Sequence, residues 1–229
     1  MISYDARIEK AVYILWVDME FDRGQEAKQL LEEALASGMA DAYYFLGRTY
    51  AGNGFINSQF GFEENEEKAT EYFNLSIENG SALGMFAARR LAGFEPRCGS
   101  MVHAPYNSVT EVWNEVCAIA NSGEIFAQYL VANAYYYGDV IELMNVDMSQ
   151  FTDEQATAQI RAWTETAAAM YDELIAKGMV MGVYNYIDII TSGDFGIPVN
   201  KKLAKKLEKI YDRKMNGSGI KGFMYKIFG

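Results

Sequence analysis

Small and apolar residues recur along this chain at a helical period, and the same spacing returns several times. The cleanest copy is Ala42, Leu46, Gly47 and Tyr50, followed after a loop by Ala69, Tyr72, Ser76 and Gly80. The first four lie on one face of a helix, with small residues where a neighbouring backbone comes close. The second four, at steps of 3, 4 and 4, lie on one face of a second helix that stops at a glycine. A helix pair of this kind cannot bury its apolar face alone and needs copies of itself on either side.

Those copies are present. Tyr13, Val17, Asp18, Phe21 and Gly24 repeat the first-helix spacing, with Asp18 where a small buried residue belongs, which predicts an atypical end helix with one face in water. Ala27, Leu30, Ala34 and Gly38 repeat the second-helix spacing. Ala82, Phe86, Ala87, Arg90 and Gly93 open the next pair. After a loop, Ser108 and Glu111 form a capping box for a helix ending at Gly123, where Trp113, Val116 and Ala120 mark a shifted apolar stripe. Ala127, Val131, Ala132, Tyr135 and Gly138 follow, then an insertion from Asp139 to Phe151. Thr152 with Gln155 opens a long helix carrying Ala167, Met170, Leu174 and Gly178. Gly182, Tyr186, Ile187, Ile190 and Gly193 begin the last pair. Asn200 caps its second helix, which carries Ala204, Leu207, Tyr211 and Met215. The pattern predicts an all-α chain with a single domain over 1–229. An N-terminal capping pair spans 1–38, repeats span 39–80, 81–123, 124–178 and 179–216, and a tail over 217–229 covers the last repeat's apolar edge.

Composition narrows the function more than the fold. A formal charge of −11 argues against nucleic acid, because phosphate binding needs a basic surface. It makes a basic or mixed-charge protein partner electrostatically easier. The one basic face is the last helix, with Lys201, Lys202, Lys205, Lys206 and Lys209. Glu66 and Glu67, after the N-cap Asn65, suit a helix dipole better than catalysis. Cys98 and Cys117 make neither a disulfide framework nor a zinc site. With no signal-like segment at the start and no run of membrane-spanning length, a cytoplasmic protein with no membrane partner is expected.

The run Ala-x3-Leu-Gly-x2-Tyr, a Gly-rich turn, then Asn-x2-Lys-Ala-x2-Tyr and a closing Gly resembles the Sel-1-like repeat, a relative of the tetratricopeptide repeat. Ala42 to Gly80 fits best. Ala127 to Gly138 and Gly193 to Leu207 also fit, and the resemblance covers about Ala27 to Tyr211. It implies a right-handed α-α superhelix (solenoid) of about five antiparallel helix pairs, acting as adaptor, scaffold or regulator. The irregular period and long insertions depart from a generic array. In such a superhelix the first helix of each pair lines the concave face. The positions facing it are Tyr44 and Arg48, Gly84 and Ala88, Tyr129 and Asn133, and Tyr184 and Asp188, with Tyr136 and Tyr137 further along one helix. Tyrosine suits an interface because it buries area cheaply and keeps a polar tip, and the alternative of equal weight is that these rings pack within the superhelix. The long connections near 54–64, 94–107 and 139–151 all join a first helix to its second, so they emerge along one edge.

The leading expectation is a non-enzymatic protein-interaction module that grips a protein or peptide through these residues and the loop edge, without cofactor or metal. A second is an immunity or inhibitor protein that neutralises a basic toxin or enzyme. A third is a hydrolase using Cys98 and His103, which share one loop but lack a nucleophile motif around them.

Overall fold

A computed structural model describes residues 4–51, 57–88 and 102–216. Every regular element among them is a helix. The elements are α1 (Ala6–Val12), α2 (Gly24–Ala36), α3 (Asp41–Tyr50), α4 (Glu66–Glu78), α5 (Ala82–Ala88), α6 (Val109–Asn121), α7 (Ile125–Tyr137), α8 (Val140–Leu143), α9 (Asp153–Ala176), α10 (Val183–Ser192) and α11 (Lys201–Asn216). The all-α expectation therefore holds among the described residues. Arg90, Gly93, Cys98 and the 217–229 tail lie outside the described residues, as does most of the loop over 94–107. None of the described helices is long and apolar enough to cross a membrane.

Local signals explain several helix ends. Asn65 caps α4 by accepting from the Lys68 amide, and Asn200 caps α11 by accepting from the Leu203 amide, each at 3.0 Å. Thr152 and Gln155 form the reciprocal capping box at α9. At α6 the box is displaced by one residue. Ser108 accepts from the Glu111 amide, while the Glu111 carboxylate reaches the Asn107 amide at 2.7 Å. Helices α2 and α9 end in the same motif, at Gly38 (φ 86°) and Gly178 (φ 96°). At the first, Met39 N donates to Ala34 O and Gly38 N to Leu35 O. At the second, Met179 N and Gly178 N donate to Leu174 O and Ile175 O. Both glycines sit in the left-handed region that a side chain would disfavour.

The chain divides into two compact units, 1–131 with 142–146, and 132–141 with 147–229, so that boundaries fall inside α7 and α8. In the first unit the helices pack in sequence, α1 on α2, α2 on α3, α3 on α4, α4 on α5 and α5 on α6. Helix α3 also meets α5, so it is covered on three sides and buries seven of its ten residues. Gly47 lets α4 approach, since a Cβ there would stand 2.6 Å from the Phe73 ring. In the second unit α10 packs on both α9 and α11. The first turns of α9 contribute no buried residue before Trp163. The insertion over 139–151 is structured, with Val140 and Leu143 of α8 fully buried.

Two register expectations need correction. The first helix is not organised on Tyr13, Val17, Asp18, Phe21 and Gly24. Helix α1 runs into a single π turn at Tyr13–Val17 and breaks beyond the exposed Asp18, where Met19 turns left-handed (φ 54°). Gly24 starts α2 instead, because a Cβ there would meet the Phe60 carbonyl oxygen at 2.6 Å. In α2, α4 and α9, unlike α11 where the template position Leu207 is buried, the larger buried residue lies one position later than the 3, 4, 4 template places it. Leu31, Phe73 and Tyr171 are buried, while Leu30, Tyr72 and Met170 are half-buried. Positions three and four along a helix flank one stripe, and the bulkier contact follows the four-step row.

Candidate functional site

The residues singled out by spacing separate into three settings. In the first unit, Tyr44 is completely buried, with its ring 5.1 Å from Phe45 and 6.1 Å from both Phe73 and Phe126. It cannot face a partner as expected, because α3 is enclosed on three sides. Arg48 donates to the Tyr44 hydroxyl at 3.2 Å. Its guanidinium lies over the rings of Phe126, Trp16 and Tyr44, at 5.0, 5.6 and 5.9 Å. Tyr129 is half-buried with its ring 5.6 Å from Phe126. Gly84 faces the Ser76 side chain rather than a ligand surface.

In the second unit, Asn133 is also inside. The Tyr171 hydroxyl donates to Asn133 Oδ1 at 2.7 Å, and the Asn185 amide donates to Asn133 Oδ1 at 3.1 Å and to the Tyr171 hydroxyl at 3.0 Å. This triangle ties together α9, α10 and the part of α7 within that unit. A buried amide without such partners would cost stability, so Asn133 is structural. Tyr184 is about half exposed and meets Tyr211 of α11 edge-on at 4.8 Å.

Tyr136, Tyr137 and Asp188 do come together, and they line a cleft of about 310 Å³ within the second unit. Thr164, Ile189, Ser192, Asp194, Phe195 and Ile197 complete it. The Tyr136 hydroxyl donates to Asp188 Oδ2 at 2.8 Å. Burial, then the Asp188 carboxylate, push the ionisation of that hydroxyl well up, so at neutral pH it stays a donor and holds Asp188 in place. The Tyr136 and Tyr137 rings meet edge to face, 4.7 Å apart at 73°. Asp188, Asp194, Tyr137 and Phe195 are exposed. Phe195 is held at φ 53°, ψ 21°, between Gly193 and Gly196, which are themselves left-handed. A phenylalanine in that region is strained, and in this conformation its ring lines the cleft. The spacing template missed Asp194 and Phe195 because it used the two glycines only as repeat markers. An aromatic between two glycines just after a helix was the available signal.

A scan of protein-family models and a search of curated proteins found no match.

Of the Cys98–His103 pair, only His103 lies among the described residues. His103 is exposed, and its Nδ1 lies 3.4 Å from the Ala104 carbonyl oxygen. Burial pushes the Cys117 thiol up to about 11, away from the thiolate a nucleophile needs. No group of three or more metal-ligating side chains occurs among the described residues. A half-buried and a buried carboxyl do occur in the first unit. Asp41 accepts from the Tyr4 hydroxyl at 2.9 Å and the Ser81 hydroxyl at 2.5 Å, and burial raises its ionisation. Glu124 accepts from the Ala127 amide at the start of α7 and is pushed up to about 7 by burial, with Asp41 and Glu9 adding to the effect.

Proposed function

We propose that this chain is a non-enzymatic protein-interaction module, an adaptor, scaffold or regulator, that works in the cytoplasm. It would belong to the Sel-1-like kind of helical solenoid and hold a partner protein or peptide at the Tyr136–Tyr137–Asp188 cleft. The observation that carries this reading is the cleft itself, where two exposed rings and two exposed carboxylates converge from three elements. Aromatic anchors rimmed by charge are the usual composition of a binding hot spot. The recurrent repeat spacing supports a rigid scaffold for it. Partner-facing roles for Tyr44 and Asn133 are withdrawn, since both are interior. Arg48 and Tyr129 contribute to the first unit's aromatic cluster, and Tyr184 flanks α11.

The test is capture of a native partner by the intact protein and by Tyr137→Ala. The variant should lose the partner and keep its helical circular dichroism. Undiminished capture by the folded variant would remove the cleft from the function. A second reading, an immunity protein against a basic toxin, is favoured by the two cleft carboxylates and the −11 charge. It requires that co-expression protect cells from a basic toxin, with protection lost in Asp188→Asn.

A further inference from the structure

The last helix carries a charge pattern that its own stability does not explain. Lys201, Lys202, Lys205, Lys206 and Lys209 of α11 are all exposed, and Arg213 continues the row. At about 100° per residue, the row from Lys202 to Arg213 keeps to one side of the helix, opposite the buried Ala204 and Leu207. Lysines 201 and 205, 202 and 206, and 205 and 209 stand one turn apart, where like charges repel. Lys201 and Lys202 also occupy the first turn, where the helix dipole favours acids, and α11 has none there. Helices α4, α6 and α9 do place glutamate or aspartate in their first turns. Among the described residues, neither the five lysines nor Arg213 makes an ion pair or a side-chain hydrogen bond. In a chain with 31 acidic residues, a row of cations left unneutralised suits an anionic partner.

Two observations choose that partner. Four of the lysines line a shallow groove along α11 with Asn200 and the half-buried Leu203, and among the described residues no ring lines it. Protein-binding hot spots are rich in Trp, Tyr and Arg and poor in Lys, so this row has the wrong composition for one. A bilayer needs no pocket, because its anionic headgroups attract each lysine separately and a straight row fits a plane. The second observation is the sequence beyond the helix. Residues 217–229 add Lys221 and Lys226, no acidic residue, and the apolar Ile220, Phe223, Met224, Ile227 and Phe228. Basic and apolar residues together are the two signals that peripheral membrane attachment combines. Residues 201–229 hold nine of the chain's 20 basic residues and two of its 31 acidic ones. Acidity elsewhere is screened beyond about 8 Å at physiological salt, so it opposes the contact weakly. We propose that the lysine face of α11 docks on the surface of an anionic lipid bilayer. The lack of a spanning helix among the described residues concerns crossing a bilayer, not lying against one. The cleft and this face use different residues, so either reading can fail alone.

The test is flotation of the full chain at physiological salt with phosphatidylcholine vesicles, with and without phosphatidylserine. The chain should float with the phosphatidylserine vesicles and not with phosphatidylcholine alone, and added salt should weaken the binding. Lys206→Gln should weaken it about fivefold, and Lys202→Gln, Lys206→Gln and Lys209→Gln together about a hundredfold. Glutamine keeps the helix propensity of lysine and all three positions are exposed, so the triple variant should retain its helical circular dichroism. Lys10→Gln removes the same charge from α1 in the first unit and should float as the wild type does. Equal flotation with both kinds of vesicle, an undiminished triple variant, or a loss in Lys10→Gln as large as in Lys206→Gln would overturn the assignment. Binding of a soluble glutamate-rich peptide without flotation of the chain would also overturn it, and would make the partner an acidic protein segment.

Discussion

The two units use the same ingredients to opposite ends. In the first, Trp16, Tyr44 and Phe126 surround a cation that the chain supplies itself, Arg48. In the second, Tyr136, Tyr137 and Phe195 line a cleft with two carboxylates and, among the described residues, no basic side chain. The first arrangement is satisfied from within and reads as structure. The second has a negative, aromatic surface facing solvent and reads as recognition. The lesson is that aromatic repetition at equivalent helix positions does not mark a binding face by itself. What separates the two is enclosure, since Tyr44 is wholly buried and Tyr137 is 54% exposed.

The largest effect should come from emptying the filled cluster. Arg48→Ala removes a guanidinium packed on three rings and the donor to the Tyr44 hydroxyl, and should cost roughly 3 kcal/mol in urea unfolding. Arg48→Met restores the aliphatic packing without the charge and should recover about half of that loss. If both variants unfold at the wild-type denaturant concentration, the cluster is not what holds α3, and the contrast between the units collapses.

Glu124 gives the next largest effect and a pH signature specific to the first unit. Its folded-state ionisation lies near 7, above the ordinary 4.5, because burial disfavours the charged form. The groups acting on it are the Ala127 and Phe126 amides, which stabilise the carboxylate, and Asp41 and Glu9, which oppose it. A raised carboxyl contributes stability that is fully present below about pH 4.5 and is lost as pH rises through 7. Glu124→Gln keeps an acceptor for the Ala127 amide and removes the titration. It should match the wild type near pH 4 and exceed it by roughly 2–3 kcal/mol near pH 8. Parallel stability–pH curves for the two proteins would show that Glu124 is solvated.

Much of the scaffold was legible in the sequence because its signals are local. Asn65, Thr152 and Asn200 cap the helices they were expected to cap, and the glycines at 38 and 178 end theirs. The tight contact at Gly47 was also readable, since a small residue in an apolar stripe marks a close approach. The site was less legible. Tyr44 and Tyr137 both lie on first helices at tyrosine-rich positions, yet one is wholly buried and the other mostly open. That difference depends on how many neighbours enclose the helix, which spacing along one strand of sequence does not encode. The break at Met19 was missed for a related reason. Once α1 runs into a π turn, every later position rotates away from the α-helical template.

Phe195 tests whether the open cleft is maintained at the expense of stability. Asparagine tolerates the left-handed region far better than phenylalanine does. Phe195→Asn should therefore stabilise the second unit by about 1 kcal/mol while weakening ligand binding at the cleft. A destabilised variant would mean that the exposed ring packs more than it strains, and that the loop is not held open for a ligand.

The smallest stability change should come from Tyr137, the counterpart of Arg48 in the comparison. Its ring is 54% exposed and meets Tyr136 edge to face. Replacing it with alanine should shift unfolding by less than about 0.5 kcal/mol, within the range of ordinary surface substitutions. The value of the measurement lies in the pairing. Arg48→Ala should unfold the protein more easily, and Tyr137→Ala should leave it as stable as before yet unable to capture its partner. A Tyr137→Ala protein as unstable as Arg48→Ala would place that ring in the second unit's packing, and the cleft would then be a dimple in a structural surface.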